Sequence, residues 1–113
     1  MITGSWTPVG RAADVPLLEG RSVAFEGRRV AIFHLPDGWA AVEHACPHAG
    51  GPLADGIVSD SCVTCPLHGA RFDLHTGERA GSERETLVTY PVRERGGILE
   101  LRAARETALE QAA

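Results

Sequence analysis

Two short segments decide the interpretation of this 113-residue chain: CPHAGGPL at residues 46–53 and CPLHG at residues 65–69. Each segment contains one cysteine and one histidine, and the spacer between His48 and Cys65 covers residues 49–64. The glycines and prolines beside them permit tight loop conformations. The end of the spacer has the pattern of a short hairpin, which predicts that the two loops lie side by side.

The candidate metal-ligating residues are therefore Cys46, His48, Cys65 and His68. Two thiolates and two imidazoles form a legitimate tetrahedral zinc set. Zinc fingers, however, usually place both cysteines in one segment and both histidines in another, whereas each segment here mixes one of each. The mixed arrangement disfavours zinc, and the colour of the purified protein distinguishes the two cases because a zinc site is colourless.

The rest of the chain predicts a small all-β domain. Its 13 glycines and 7 prolines divide it into short runs that are typical of strands and turns. Turns are predicted at residues 26–27, 36–38, 59–61 and 93–97. Strands are predicted at residues 22–25, 28–35, 39–43, 56–58, 62–64, 85–92 and 98–101.

The two ends depart from this pattern. Residues 12–17 predict one helical turn. The last eleven residues, 103–113, are rich in Ala, Glu, Leu and Gln and predict either a short helix or a frayed tail, because isolated helices of that length are marginal. With room for one domain only, the chain divides into a domain at 1–102 and this tail at 103–113.

Composition and charge exclude several functions. A formal net charge of -4 gives no reason to expect nucleic acid as a partner. No apolar stretch is long enough for a membrane span, and the first residues do not have the pattern of a secretory signal. Three cysteines are too few for a disulfide scaffold, so the expected compartment is the cytoplasm. No nucleophile–base pair is visible, which favours a carrier over a complete enzyme.

Other conspicuous side chains have ordinary interpretations. Cys62 precedes Cys65 by three residues and is expected to be a structural or half-exposed thiol. His44 is expected to be a polar loop residue, with a hydrogen bond near the metal site as the alternative. The remaining expectations are that Trp6 and Trp39 are core aromatics, that His34 is structural and that His75 is solvated.

The two segments resemble the loops of the Rieske family, whose pattern is Cys-x-His followed, after a similar spacer, by Cys-x-x-His. The resemblance runs from Trp6 to about Leu101 and includes FDL at residues 72–74 and TG at residues 76–77. It implies a small Rieske-fold antiparallel β-sandwich with a two-loop cluster-binding subdomain and one [2Fe–2S] cluster per chain. By position, Cys46 and Cys65 would hold the buried iron, and His48 and His68 the outer iron.

The resemblance also bears on the reduction potential. Histidine ligation raises it into a window of roughly −150 to +300 mV, against about −400 mV for all-cysteine plant-type clusters. High-potential relatives carry an additional cysteine in each loop, joined as a disulfide, and place serine and tyrosine hydroxyls against the sulfurs. The matching residues here are Gly51, Leu67, Ala70 and Phe72. Fewer hydrogen bonds to sulfur predict a potential at the low end of the window.

Three roles remain open for a small free-standing chain of this family. The run CPHAGGPLADGIV, followed by CPLHG, favours the small subunit of an assimilatory NAD(P)H-dependent nitrite reductase, whose partner is a flavin- and siroheme-containing large subunit. The alternative is the ferredoxin of an aromatic-ring-hydroxylating dioxygenase, whose partners are the oxygenase and its reductase. A more distant alternative is an assembly module in which the cluster only holds the loops. In either electron-transfer role, docking is expected through a rim formed by residues 50–53 and Leu67.

Overall fold

The computed structural model describes residues 5–45, 51–67 and 69–103. These residues form twelve short strands and two single-turn 3-10 helices, at Ala12–Asp14 and Leu53–Asp55. The strands are β1 (Thr7–Arg11), β2 (Gly20–Phe25), β3 (Arg28–Leu35), β4 (Gly38–Glu43), β5 (Ile57–Ser59), β6 (Cys62–Thr64), β7 (Arg71–Asp73), β8 (Glu78–Arg79), β9 (Ser82–Thr86), β10 (Thr89–Tyr90), β11 (Val92–Arg95) and β12 (Ile98–Leu101). The predicted all-β class is confirmed.

Two of the antiparallel sheets form the base of the molecule. One has the order β1-β12-β11, and the other has the order β10-β4-β3-β2. The turn between β2 and β3 has positive φ angles at Glu26 (52°) and Gly27 (78°), the backbone of a tight two-residue hairpin. The register pairs Val30 with Glu43, so β3 begins at the end of the sheet where β4 leaves toward the first ligand loop.

The third sheet carries the second ligand loop. Its order is β5-β6-β7-β8-β9, and all of its pairings are antiparallel. The turn between β5 and β6 has positive φ angles at Asp60 (53°) and Ser61 (61°), which again closes a two-residue hairpin. This confirms the predicted hairpin between the two loops, with β5 shifted by one residue from the prediction.

Two apolar cores lie on opposite faces of β3. Because side chains alternate across a strand, Ala31, Phe33 and Leu35 contribute to the core shared with the third sheet. Val30 and Ile32 point to the other face and pack in the core shared with β12. The long predicted strand at 28–35 thus joins the two halves of a sandwich.

One predicted strand is wrong in detail. Residues 85–92 are not one strand, because the chain passes there from β9 through β10 to β11 and so changes sheet twice. Leu87 is buried at the first crossing, and its N–H donates to the Gly77 carbonyl at 2.7 Å. Pro91, which has no N–H for a sheet ladder, stands at the second crossing. The predicted turn at 93–97 is correspondingly shorter, since β11 extends to Arg95 and the turn is Gly96–Gly97.

The predictions for the two ends of the chain and for the shortest strands were only partly confirmed. The helical turn predicted at 12–17 is the 3-10 turn Ala12–Asp14. Strands β1, β7 and β8 were not predicted. The tail from residue 104 onward lies outside the described residues, so its predicted helix stays a prediction. The described parts of the chain contain no helix with the length and apolarity that a bilayer crossing needs.

Candidate metal centre

The second ligand loop is a tight reversal between β6 and β7. The N–H of Cys65 donates to the Ala70 carbonyl at 2.7 Å, and the N–H of Gly69 donates to the Cys65 carbonyl at 2.9 Å. Gly69 has a φ of 76°, a conformation that glycine adopts without the steric cost of a side chain. These two hydrogen bonds tie Cys65 to Gly69 and Ala70 and so close the loop beyond the ends of β6 and β7.

The first ligand loop is closed at its base. Ala45 and Pro52 form an isolated antiparallel bridge, and the Leu53 N–H donates to the His44 carbonyl at 3.0 Å. The described residues on the two sides of 46–50 are therefore held together. Cys46 and His48 themselves lie in that segment, outside the described residues, and so does His68 in the second loop. Of the four predicted ligands, the structure describes Cys65.

The two loops meet at Gly51 and Cys65. A Cβ atom placed on Gly51 would lie 2.8 Å from Cys65 Sγ and 3.2 Å from Leu67 Cδ1. Gly51 is buried, so its backbone packs directly against the thiol of the opposite loop. This contact confirms, for the described parts of the loops, the prediction that they lie side by side. Sequence reasoning missed the contact, although the Gly-Gly pair before Pro52 was its signal.

The second loop changes from buried to exposed within three residues. Cys65 is 1% exposed and belongs to the core beneath the loops, whereas the side chain of Leu67 is 61% exposed. A Rieske site needs an inner thiolate and an outer imidazole on each loop. The burial at Cys65 and the exposure beside position 68 fit that requirement, and so does the Gly51 backbone, which shields the thiol without adding a side chain.

No hydroxyl is available at two positions near the thiol. Ala70, which accepts the Cys65 N–H through its carbonyl, and Phe72 on β7 are both buried, at 3% and 0% exposure. Their side chains donate no hydrogen bond. The low-potential prediction rests on the absence of hydroxyl donors at these two positions. The reduction potential itself stays a prediction.

One part of the predicted docking rim is wrong. Leu53 is fully buried in the core beneath the loops, and Gly51 is covered as well. The reason is that the 3-10 turn Leu53–Asp55 folds inward immediately after the bridge at Pro52. Among the described rim residues, Pro52 and Leu67 remain accessible.

His44 holds the base of the first loop. Its Nδ1 accepts the Ala54 N–H at 3.4 Å, and its own N–H donates to the Arg29 carbonyl at 3.1 Å. Burial lowers the pKa of His44 below its ordinary value, and the nearby Arg29 lowers it further against the opposing effect of Asp55. A neutral imidazole that accepts a backbone hydrogen bond is the polar loop residue that was predicted.

Cys62 is separate from the ligand loops. It is half-buried on β6, where the alternate residue Val63 enters the core. The Arg71 guanidinium hydrogen-bonds to the Cys62 side chain, and this contact raises the pKa of Arg71. Its position between neighbours on the sheet surface agrees with the predicted half-exposed thiol.

The remaining side chains singled out from the sequence are two histidines and two tryptophans outside the ligand loops. His34 Nδ1 lies 2.9 Å from the Val15 carbonyl, and its ring stacks on Trp39 at 4.1 Å. Trp39 is half-buried at the edge of the second core, so it is less enclosed than a core aromatic. Trp6 is also half-buried and lies beneath the Arg93 guanidinium at 4.3 Å. His75 is exposed on a turn, 3.5 Å from Asp37.

A family comparison decides the classification. Residues 5–102 match the model of the Rieske-like [2Fe-2S] domain. The chain belongs to this family. Its cofactor is a Rieske-type [2Fe–2S] cluster, and its activity is electron transfer.

Individual Rieske relatives come from two physiological settings. The anthranilate 1,2-dioxygenase ferredoxin subunit of Burkholderia cepacia is 30% identical over 97 residues, which cover 85% of this chain and 90% of that one. The 3-phenylpropionate/cinnamic acid dioxygenase ferredoxin subunit of Escherichia coli K12 is 35% identical over 88 residues, covering 75% and 81%. The structure of a putative NADH-dependent nitrite reductase small subunit from Mycobacterium tuberculosis superposes with a TM-score of 0.84 at 26% identity, covering 92% and 99%.

Proposed function

We propose that this Rieske protein carries single electrons as the small subunit of an NAD(P)H-dependent nitrite reductase, with Cys46, Cys65, His48 and His68 as the ligands. The observation that carries the site assignment is the contact between Gly51 and the buried thiol of Cys65. It joins the two ligand-bearing segments at a sulfur atom that water does not reach. The cytoplasm stays the expected compartment.

The described residues divide the proposed site into a buried inner side at Cys65 and an exposed outer side at Leu67. When bound, the cluster supplies a one-electron couple whose potential depends on ligand type, hydrogen bonding to sulfur and solvent exposure. Cys65 and the Gly51 backbone exclude water from the inner side. Pro52 and Leu67 form an accessible apolar rim on the outer side, against which a partner protein can pack.

Two observations support the nitrite reductase setting. The first is the sequence run CPHAGGPLADGIV followed by CPLHG. The second is the superposition on the Mycobacterium tuberculosis small subunit structure, with a TM-score of 0.84 over 92% of this chain and 99% of that one. The fold does not determine which reaction the transferred electron serves. That reaction is determined by the partner protein.

The dioxygenase ferredoxin role is the second candidate. It is supported by the two ferredoxin subunits at 30% and 35% identity. Both roles use the same site and differ in the protein that docks on it.

The deciding experiment compares the two partners directly. The purified, cluster-loaded protein is added to a flavin- and siroheme-containing reductase subunit, and NAD(P)H-dependent loss of nitrite is measured. In parallel it is added to a ring-hydroxylating oxygenase with its reductase, and product formation is measured. We expect stimulation of nitrite loss. Stimulation of the oxygenase alone would reverse the assignment.

A second measurement separates electron transfer from an assembly role. Dithionite should bleach the visible absorbance of the protein, and air should restore it over repeated cycles. A cluster that is not reduced reversibly would favour the assembly module. A colourless protein containing zinc would contradict both the cofactor and the function.

A further inference from the structure

The positive charges of this protein are unevenly neutralised. The sequence contains eleven Lys or Arg residues, and all of them are arginine. Several described arginines have a carboxylate within 4 Å, in the pairs Arg11–Asp14, Arg21–Glu19, Arg71–Asp60 and Arg93–Glu100. Arg28 and Arg29 have no such partner within the described ranges 5–45, 51–67 and 69–103. They are adjacent in sequence, and both are exposed.

These two arginines lie beside the base of the first ligand loop. They begin β3, which pairs with the end of β4, and the Arg29 carbonyl accepts the N–H of His44 at 3.1 Å. His44 is followed by Ala45, which forms the bridge at the loop base, and then by Cys46. A molecule held by Arg28 and Arg29 would therefore sit next to the backbone that enters the site.

A groove of about 300 Å³ connects the arginines to this backbone, and its wall is formed by Arg28, Arg29, Glu43, His44, Ala45 and Tyr90. The nearly buried Tyr90 ring packs edge-on against Phe25 at 6.0 Å, which gives the groove a rigid side. Glu43 is the acidic member, and its Oε1 already accepts the Val88 N–H at 2.6 Å.

Most of the side-chain hydrogen-bond donors in the groove belong to the guanidinium groups of Arg28 and Arg29. Arg29 Nη2 donates to Ser22 Oγ at 2.8 Å, a neutral partner that orients the group without cancelling its charge. Guanidinium groups bind carboxylates through paired, charge-assisted hydrogen bonds. Glu26 on the neighbouring turn and Glu43 reduce the net charge, so the site suits a carboxylate segment of limited size.

We propose that this groove is the electrostatic docking site for a carboxylate-bearing segment of the protein's redox partner, a proposal that rests on the electron-transfer function above. Transient redox complexes have small interfaces, and complementary charge speeds their formation. The chain has a net charge of -4, and within its described residues this arginine pair has no carboxylate within 4 Å, so the pair would attract an acidic partner surface to the base of the first ligand loop.

The test reverses the charge at the groove and at a matched remote position. The variants are Arg28→Glu, Arg29→Glu and the double variant, with Arg95→Glu as the control. Arg95 is exposed on β11. Its neighbour Glu94 accepts a hydrogen bond from Trp39, which lies at the start of β4, whereas the groove residue Glu43 lies at the end of that strand. Each single variant changes the charge equally. All variants should keep the wild-type visible spectrum and midpoint potential.

The first readout does not depend on partner identity. Stopped-flow oxidation of the dithionite-reduced protein is followed with the anion ferricyanide and with the cation hexaammineruthenium(III). At low ionic strength, Arg28→Glu and Arg29→Glu should each react more slowly with ferricyanide, and faster with the cation, than Arg95→Glu does, and the double variant should react about fivefold more slowly with ferricyanide than wild type. Arg95→Glu should stay within about twofold of wild type, and high salt should remove the difference. Equal effects at the groove and at Arg95 would overturn the proposal.

The second readout uses the partner that the function assay identifies. The double variant should lower the rate constant for electron transfer at limiting partner concentration about tenfold, while the rate at saturation stays near wild type. Arg28→Lys and Arg29→Lys should retain most of the rate. A faster reaction after charge reversal would show that the partner surface is basic and would overturn the proposal. A wild-type protein without a cluster spectrum would instead contradict the proposed function, and the docking site with it.

Discussion

Replacing Gly51 by alanine tests the contact that joins the two loops. The new Cβ would lie 2.8 Å from Cys65 Sγ, whereas ordinary van der Waals contact begins at 3.4 Å, so the atoms must separate by 0.6 Å (3.4 minus 2.8). The contact with Leu67 at 3.2 Å is relieved more easily, because that side chain is largely exposed. Cys65, in contrast, is enclosed by the core and anchored through its backbone hydrogen bonds.

The expected cost follows from overpacking a close contact, which is typically about 1 to 3 kcal/mol. If the full penalty appears in the rate of cluster loss, that rate rises by roughly five- to a hundredfold, since about 1.4 kcal/mol corresponds to a factor of ten. The assay follows the decay of visible absorbance at a fixed elevated temperature, together with the iron content of freshly purified protein.

Gly10→Ala is the matched control for this experiment. It adds the same methyl group, but no atom lies within 4 Å of a Cβ at Gly10. Neither Gly10 nor Gly51 has a positive φ, so backbone strain does not distinguish the two variants. Equal rates of cluster loss for Gly51→Ala and Gly10→Ala would refute the idea that Gly51 shapes the site through the Cys65 sulfur.

The other predictions concern a ligand, the potential and the pH dependence. Cys65→Ser should abolish the visible spectrum, whereas Cys62→Ser should keep full iron content; equal iron in both would contradict the ligand assignment. Ala70→Ser should raise the midpoint potential by about 40 mV, because one added hydrogen bond to sulfur is worth about 1 kcal/mol; redox titration checks this, and an unchanged or lower midpoint would count against it. Thr76 and His75 donate backbone N–H groups to Asp73, chiefly Thr76, and lower its pKa. The resulting stability is present above the unfolded pKa and is lost as pH falls through the folded pKa, so Asp73→Ala should destabilise by about 1 kcal/mol at pH 7 and converge with wild type in acid, as measured by urea unfolding.

Local sequence patterns account for the central strands. The run from Arg28 to Leu35 is long, apolar and bounded by turn residues, so β3 could be predicted at its observed limits. The strands β6 and β12 were also predicted at their limits, because the residues around each already have turn-forming character. Strand β7 has only three residues and no periodic pattern, and it exists because β6 and β8 flank it.

Non-local packing explains what sequence reasoning missed. Leu87 looked like part of a strand, but its burial at a crossing between two sheets depends on residues distant in the chain. The inward turn at Leu53 removed that residue from the predicted docking rim for the same reason. The loops themselves were found from the spacing of their cysteines and histidines. Two spatial proximities could not be predicted from the sequence: that of Gly51 to Cys65, and that of Arg28 to the base of the first loop. Both depend on which strands pair, and no local sequence pattern specifies that pairing.

Metal analysis combined with electron paramagnetic resonance tests the central claim most directly. The account predicts two irons and two acid-labile sulfides per chain, no stoichiometric zinc, and a paramagnetic signal from a mixed-valence iron pair after reduction with dithionite. Protein that contains one zinc and no sulfide, or that gives no paramagnetic signal when reduced, would contradict it.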